Sequence, residues 1–103
     1  MIRINLEAVA NQSFNIDLED SRYKVVLKEA NGCMVCDIER DGEILLNGSR
    51  CVAGVPLIPY RAYEEGNFIF VTENDMMPYY TEFEITQTLY YLTEEEVQSL
   101  RNQ

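Results

Sequence analysis

Few residues in this chain could do chemistry. Cys33-x-x-Cys36 has the spacing of a thiolate metal pair or a redox motif, and Cys51 is the only other cysteine among 103 residues. A structural zinc site takes about four Cys or His ligands. The chain offers three cysteines and no histidine. Residues three apart on a strand face opposite sides of the sheet, and a thioredoxin-type pair needs a helix N-terminus. Cys36 and Cys51 therefore read as core packing, and all three cysteines as free thiols. Glu73, Asp75, Glu82 and Glu84 form the second set. Paired carboxylates can hydrolyse glycosides or bind a divalent cation. With eighteen acidic residues such a cluster arises from composition alone. Glu73-Asn74-Asp75 also lacks the spaced ligands and terminal bidentate Glu of a calcium loop. These carboxylates read as a solvated face. There is no Gly-rich phosphate loop and no Ser-His or Cys-His pair, and the commonest general base is missing. The expectation is a protein with no catalytic residue, no metal and no cofactor, hence not an enzyme.

The aromatic residues give a different signal. Nine of the eleven lie between residues 60 and 91. Tyrosine suits interfaces, with a large apolar body and a polar tip. It also suits a β core whose hydroxyls reach the rim. Phe68 and Phe70 read as core. Tyr60, Tyr63, Tyr79 and Tyr80 read as contacts for a partner. Charge is the third signal. The net charge is −10, and residues 52–103 hold nine acidic groups against two basic ones. A chain this acidic repels nucleic acid. The same charge keeps a small β protein soluble and discourages edge-to-edge pairing.

The elements that must position these residues are strands. Ile2, Ile4 and Leu6 alternate with Arg3, Asn5 and Glu7; Phe14, Ile16 and Leu18 alternate with Asn15, Asp17 and Glu19; Tyr23, Val25 and Leu27 continue the pattern. Period two is that of a half-buried strand. Asn31-Gly32 and Asp41-Gly42 are hairpin signals, and Glu19 to Arg22 is a further turn. Strands are expected near 2–7, 12–19, 22–30, 33–40 and 43–53, then at Phe68–Val71, with both faces apolar and so interior, and at Thr86–Leu92. The two prolines of Val55–Tyr60 rule out a central strand there, and that stretch reads as a crossing segment over one end of the core. Glu73 to Tyr80 reads as a loop. Thr93-x-x-Glu96 is a capping box for a terminal helix, with Val97 and Leu100 facing inward. The 103 residues make one all-β domain, a small antiparallel barrel or sandwich with a short C-terminal helix or tail over 93–103. Burial is expected at Ile4, Leu6, Phe14, Ile16, Leu18, Val25, Leu27, Ile38, Phe68 and Phe70. No apolar run is long enough to span a membrane, and Met1-Ile2-Arg3-Ile4-Asn5 lacks the apolar core of a signal peptide.

The order of motifs is also familiar. Gln12-x-Phe14-x-Ile16-x-Leu18 leads into Tyr23-x-Val25-x-Leu27. Asp37-Ile38-x-Arg40-Asp41-Gly42 follows, then Gly48-x-Arg50-Cys51-Val52-x-Gly54-Val55-Pro56-Leu57-Ile58-x-Tyr60 and Gly66-Asn67-Phe68-Ile69-Phe70. Over residues 2–72 the chain resembles the small plug proteins of contractile-tailed phage baseplates. The resemblance implies a structural virion protein in the tail baseplate, made in the cytoplasm of the bacterial host. It would sit in or against the central hub at the end of the tail tube. Its partners would be the hub and neighbouring tail proteins, with no stable nucleic-acid binding and no membrane. On that reading Tyr60, Tyr63, Tyr79 and Tyr80 would grip the hub, and Glu64, Glu65, Glu73 and Asp75 would face the lumen. Two alternatives belong to other classes. One is a small β-barrel holding a flavin or other metabolite in its mouth. The other is an intracellular adaptor docking a partner through a sheet edge.

Overall fold

The alternating runs become strands because alternation lets one face of each be buried while the other stays wet. A computed structural model describes residues 1–59 and 65–102; the expectations for Tyr60, Tyr63 and Glu64 lie outside the described residues. Strand β1 spans Ile2–Ile4, β2 Asn11–Leu18, β3 Ser21–Ala30, β4 Cys33–Arg40, β5 Glu43–Arg50, β6 Asn67–Thr72 and β7 Gln87–Leu92, and helix α1 spans Glu94–Arg101. Two antiparallel sheets result, ordered β2-β3-β4-β5 and β1-β7-β6. They share one apolar core but do not join edge to edge. Of barrel and sandwich, the sandwich is the outcome.

The four-stranded sheet is a meander with tight turns. Asn31-Gly32 and Asp41-Gly42 both take positive φ (52° and 82°, 52° and 86°), as the expected hairpins require. Glu19 and Asp20 do the same without a glycine, at φ 49° and 63°. The Glu19 carboxylate is anchored there, accepting hydrogen bonds from the Tyr91 hydroxyl (2.7 Å) and the Glu94 amide (3.0 Å). The β4–β5 register slips twice, between Cys36 and Ile38 and between Ile38 and Glu39. Gly48, at φ 66°, sits in the first slip, where its amide donates to Asp37 Oδ1 at 2.6 Å. The second slip turns consecutive Leu45 and Leu46 both inward. A bulge breaks the period-two pattern in this way.

The three-stranded sheet is assembled from distant pieces, with β1 pairing Ile2 to Tyr91. Here two expectations are corrected. Phe68–Val71 is not the interior strand: β7 is central, β6 lies at an edge, and Val71 is exposed. Its outer edge is capped in part by the crossing segment, where Gly54 and Leu57 donate to the Phe70 and Phe68 carbonyls (2.9 and 2.8 Å). Leu100 is also exposed. Val97 alone carries the inward face of α1, while Leu100 borders a cleft with Met1, Ile69 and Leu92. The capping box is present as expected, with Glu96 N donating to Thr93 Oγ1 and Thr93 N to Glu96 Oε1.

Eight of the ten residues expected in the core are buried. Phe14 and Ile16 are only partly so, because β2 is an edge strand with a neighbour on one side. At the centre the rings of Tyr23, Phe68 and Tyr91 meet edge to face with centroids 5.2–5.5 Å apart, tying the two sheets together. So the tyrosines divide. Tyr23 and Tyr91 are core, with hydroxyls 3.3 Å apart. Burial and the bonds to Tyr23 and Glu19 push the Tyr91 hydroxyl well above its ordinary pKa.

Candidate docking site

The connection from β6 to β7 is where sequence and structure leave something unexplained. Fourteen residues, 73–86, join two adjacent antiparallel strands that a two-residue turn could have joined. The backbone here turns sharply at Glu73–Asp75, with Asn74 and Asp75 at positive φ (57° and 53°), and again at Tyr80–Glu82. Interior hydrogen bonds then hold it. The fully buried Gln87 side chain accepts from the Tyr79 amide (2.8 Å) and donates to the Met77 carbonyl (3.0 Å). Thr72 Oγ1 donates to the Met76 carbonyl (2.7 Å), and Glu73 N to the Thr86 carbonyl (3.0 Å). Phe83 is buried and stacks on Phe70, centroids 5.6 Å apart. A buried amide that fills both its donor and its acceptor roles fixes backbone as a strand neighbour would.

Between the two halves of this connection runs a groove of about 470 Å³, with Met76, Met77 and Tyr79 on its apolar side and Glu73 and Glu82 among its polar lining. Met76 is 65% exposed, Met77 43% and Ile85 75%. Tyr79 and Tyr80, expected as partner contacts, are half-buried against the core with ring centroids 4.8 Å apart. Only Tyr79 lines the groove. Burial, aided by the Glu29 carboxylate, raises the Tyr79 hydroxyl above its ordinary pKa. Glu73, expected to face a lumen, lies on the same groove as Tyr79. Asp75 points toward Gly54, and Glu65 is exposed near Arg40, 3.8 Å away. The two expected sets are thus interleaved.

The other candidate chemistry is dispersed. Glu84 is structural: it pairs with Arg3 (2.8 Å) and accepts the Leu6 amide (3.0 Å), replacing the strand partner that β1 lacks beyond Ile4. Burial raises its pKa, but those bonds outweigh burial and hold it below the ordinary range. Cys33 and Cys36 face opposite sides of β4. The buried Cys51 thiol contacts Cys36; that contact, then burial, pushes its pKa far up and keeps it protonated. Among the described residues no three His, Cys, Asp or Glu side chains are placed to hold a metal ion, and no helix is long and apolar enough to cross a membrane.

Two features escaped the sequence reading, namely the bracing amides Asn67 and Gln87. Asn67 does for the crossing segment what Gln87 does for the groove, exchanging bonds with the Ile58 amide (2.9 Å) and carbonyl (2.8 Å). Their only signal was a polar residue opening a mostly apolar strand. A family model described as cyanophage baseplate Pam3 plug gp18 matches residues 1–95, which takes in both sheets and the whole groove. No curated protein matches the chain.

Proposed function

Because the chain belongs to the cyanophage baseplate plug family over residues 1–95, we propose that it is a structural part of a contractile tail, seated in or against the central hub at the end of the tail tube. The observation that carries this is the extent of the match. It covers the meander, the β1-β7-β6 sheet and the 73–86 connection, so the match is to the whole sandwich rather than to one motif. On this reading the protein does no chemistry, holds no cofactor, and works by occupying space and gripping its neighbours.

Its charge fits that work. From residue 65 to residue 100 the chain carries eight acidic groups and no Lys or Arg. Carboxylates beside a channel repel DNA phosphates and let the genome slide past. At about 0.15 M salt that repulsion reaches only about 8 Å, so the groups concerned must border the lumen. Glu64, Glu65 and Asp75 are assigned this role. Glu73 shares it only where its groove is left open. Tyr60, Tyr63, Tyr79 and Tyr80 are assigned to hub contact, by burial of ring area rather than by charge.

Gold-labelled antibody against the protein, applied to intact virions, tests the placement. Label is expected at the tail tip. Label on the head or along the sheath, or none with purified virions that also lack the chain by mass spectrometry, would overturn it. Reversing Glu64, Glu65 and Asp75 to Lys, with the groove residue Glu73 left as it is, tests the charge: tails should still assemble but eject DNA poorly, and normal infectivity would reduce the acidity to simple solubilisation.

A further inference from the structure

We infer that the groove between the two halves of the β6–β7 connection is a preformed docking site for a segment of a neighbouring tail protein, one bearing an apolar side chain flanked by Lys or Arg. The inference rests on the plug reading and names the surface and the chemistry of the partner.

Three observations converge on this surface. The first is exposed apolar area where folding does not demand it. Met76 and Met77, 65% and 43% exposed, stand side by side on the groove, and Ile85 is exposed further along the same 14-residue connection. Exposed apolar residues grouped in this way mark interaction sites more often than singly scattered ones. Methionine is also the side chain best able to mould itself to a partner.

The second is rigidity. The apolar residues are not on a slack loop. Gln87 grips Met77 and Tyr79 from inside the core, Thr72 holds Met76, and Phe83 anchors the far half on Phe70. A surface ordered before binding spares the entropy that a partner would otherwise have to supply. A long connection braced by a fully buried amide is more than two adjacent strands need.

The third is charge. Glu73 and Glu82 belong to the groove, and among the described residues neither has an ion pair. The stretch from residue 65 to residue 100 itself contains no Lys or Arg. The complement is an apolar centre with a basic rim, which excludes nucleic acid and disfavours a second copy of this acidic chain.

The test uses tails assembled without this protein and the purified full chain added back. Four proteins are compared: wild type, M76D/M77D, E73K/E82K, and I44D as a control on the outer face of the four-stranded sheet, where Ile44 is 62% exposed. Ile44, Glu73, Met76 and Met77 are exposed, Glu82 is half-buried and accepts from Thr86 Oγ1 at 2.9 Å, and circular dichroism checks that each variant folds. Wild type and I44D are expected to bind the tails equally. M76D/M77D should bind at least about tenfold more weakly, since central apolar contacts dominate such interfaces. E73K/E82K should also bind more weakly, and the wild-type affinity should fall as salt is raised. Undiminished binding by M76D/M77D would overturn the docking site and leave the plug reading standing, and loss in I44D would move the contact to the outer face of the four-stranded sheet. Failure of the wild type to bind would overturn the plug reading and this inference with it. A wild-type dimer that M76D/M77D abolishes would replace the basic partner with a second copy and overturn the inference.

Discussion

In the β2-β3-β4-β5 sheet every pair of neighbouring strands is also consecutive in the chain, while the β1-β7-β6 sheet pairs residue 2 with residue 91. The first is closed by two-residue turns, the second by the crossing segment and the long connection over 73–86. Their charges differ as well. Residues 11–50 mix five basic with eight acidic groups, whereas residues 65–100 are acidic only. The first sheet solves its folding problem locally. The second needs long-range contacts, whose loop-closure entropy must be offset before they stabilise anything. That is why it supplies two of the three central rings, Phe68 and Tyr91, and both buried amides, and why its connections are free to carry a surface for partners.

Truncating the aromatic centre should break this arrangement most severely. Phe68→Ala removes the ring that meets both Tyr23 and Tyr91, and should cost about 3–5 kcal/mol in urea unfolding. Ile16→Ala on the half-buried edge strand should cost clearly less. Equal losses would mean that the meander depends on its edge as much as the sandwich does on its centre.

Gly66→Ala comes next. A Cβ there would lie 1.9 Å from the Tyr91 hydroxyl oxygen, so the ring or the strand must move. The expected loss is about 1–3 kcal/mol. Gly32→Ala, with open space but φ +82°, should cost less and act through turn strain alone. Melting temperatures of the pair separate packing from backbone strain.

Gln87→Leu sharpens the comparison at the groove. It leaves the Tyr79 amide and the Met77 carbonyl without their side-chain partner, at about 1–3 kcal/mol. Protease cleavage within 73–79 should rise while the meander stays protected in amide exchange. A uniform loss of protection would show that the connection is not separately braced.

Asp37→Asn probes the bulge of the meander through pH. The Gly48 amide first, then Lys28 at 3.1 Å, hold the Asp37 carboxyl below its ordinary value of 3.8 against the opposing effect of burial. A depressed folded pKa contributes stability that is present above the unfolded value and lost as pH falls through the folded one. Wild type should exceed the variant by about 1 kcal/mol at pH 6, and the gap should shrink below about pH 4. A gap independent of pH would place the effect in packing. The smallest effect is expected at Ile85→Ser, within about 0.5 kcal/mol of wild type, because that side chain is in water.

By itself the sequence determined the meander. Alternation fixed which face of β3 and β4 is buried, Asn31-Gly32 and Asp41-Gly42 fixed the turns, and Thr93 with Glu96 fixed the start of α1, because each of these rules acts over a few neighbouring residues. The acidity of residues 65–100 and the family resemblance were legible in the same way. Only the tertiary structure decided that β7 rather than β6 is central and that the sheets stay open. It also decided that Tyr91 belongs to the core, and that Glu73 and Tyr79 share one groove. Those outcomes depend on which distant segments meet. An apolar run looks the same in sequence whether a strand or a crossing segment covers it, and Gln87 shows nothing of its role until residues 77 and 79 are folded against it.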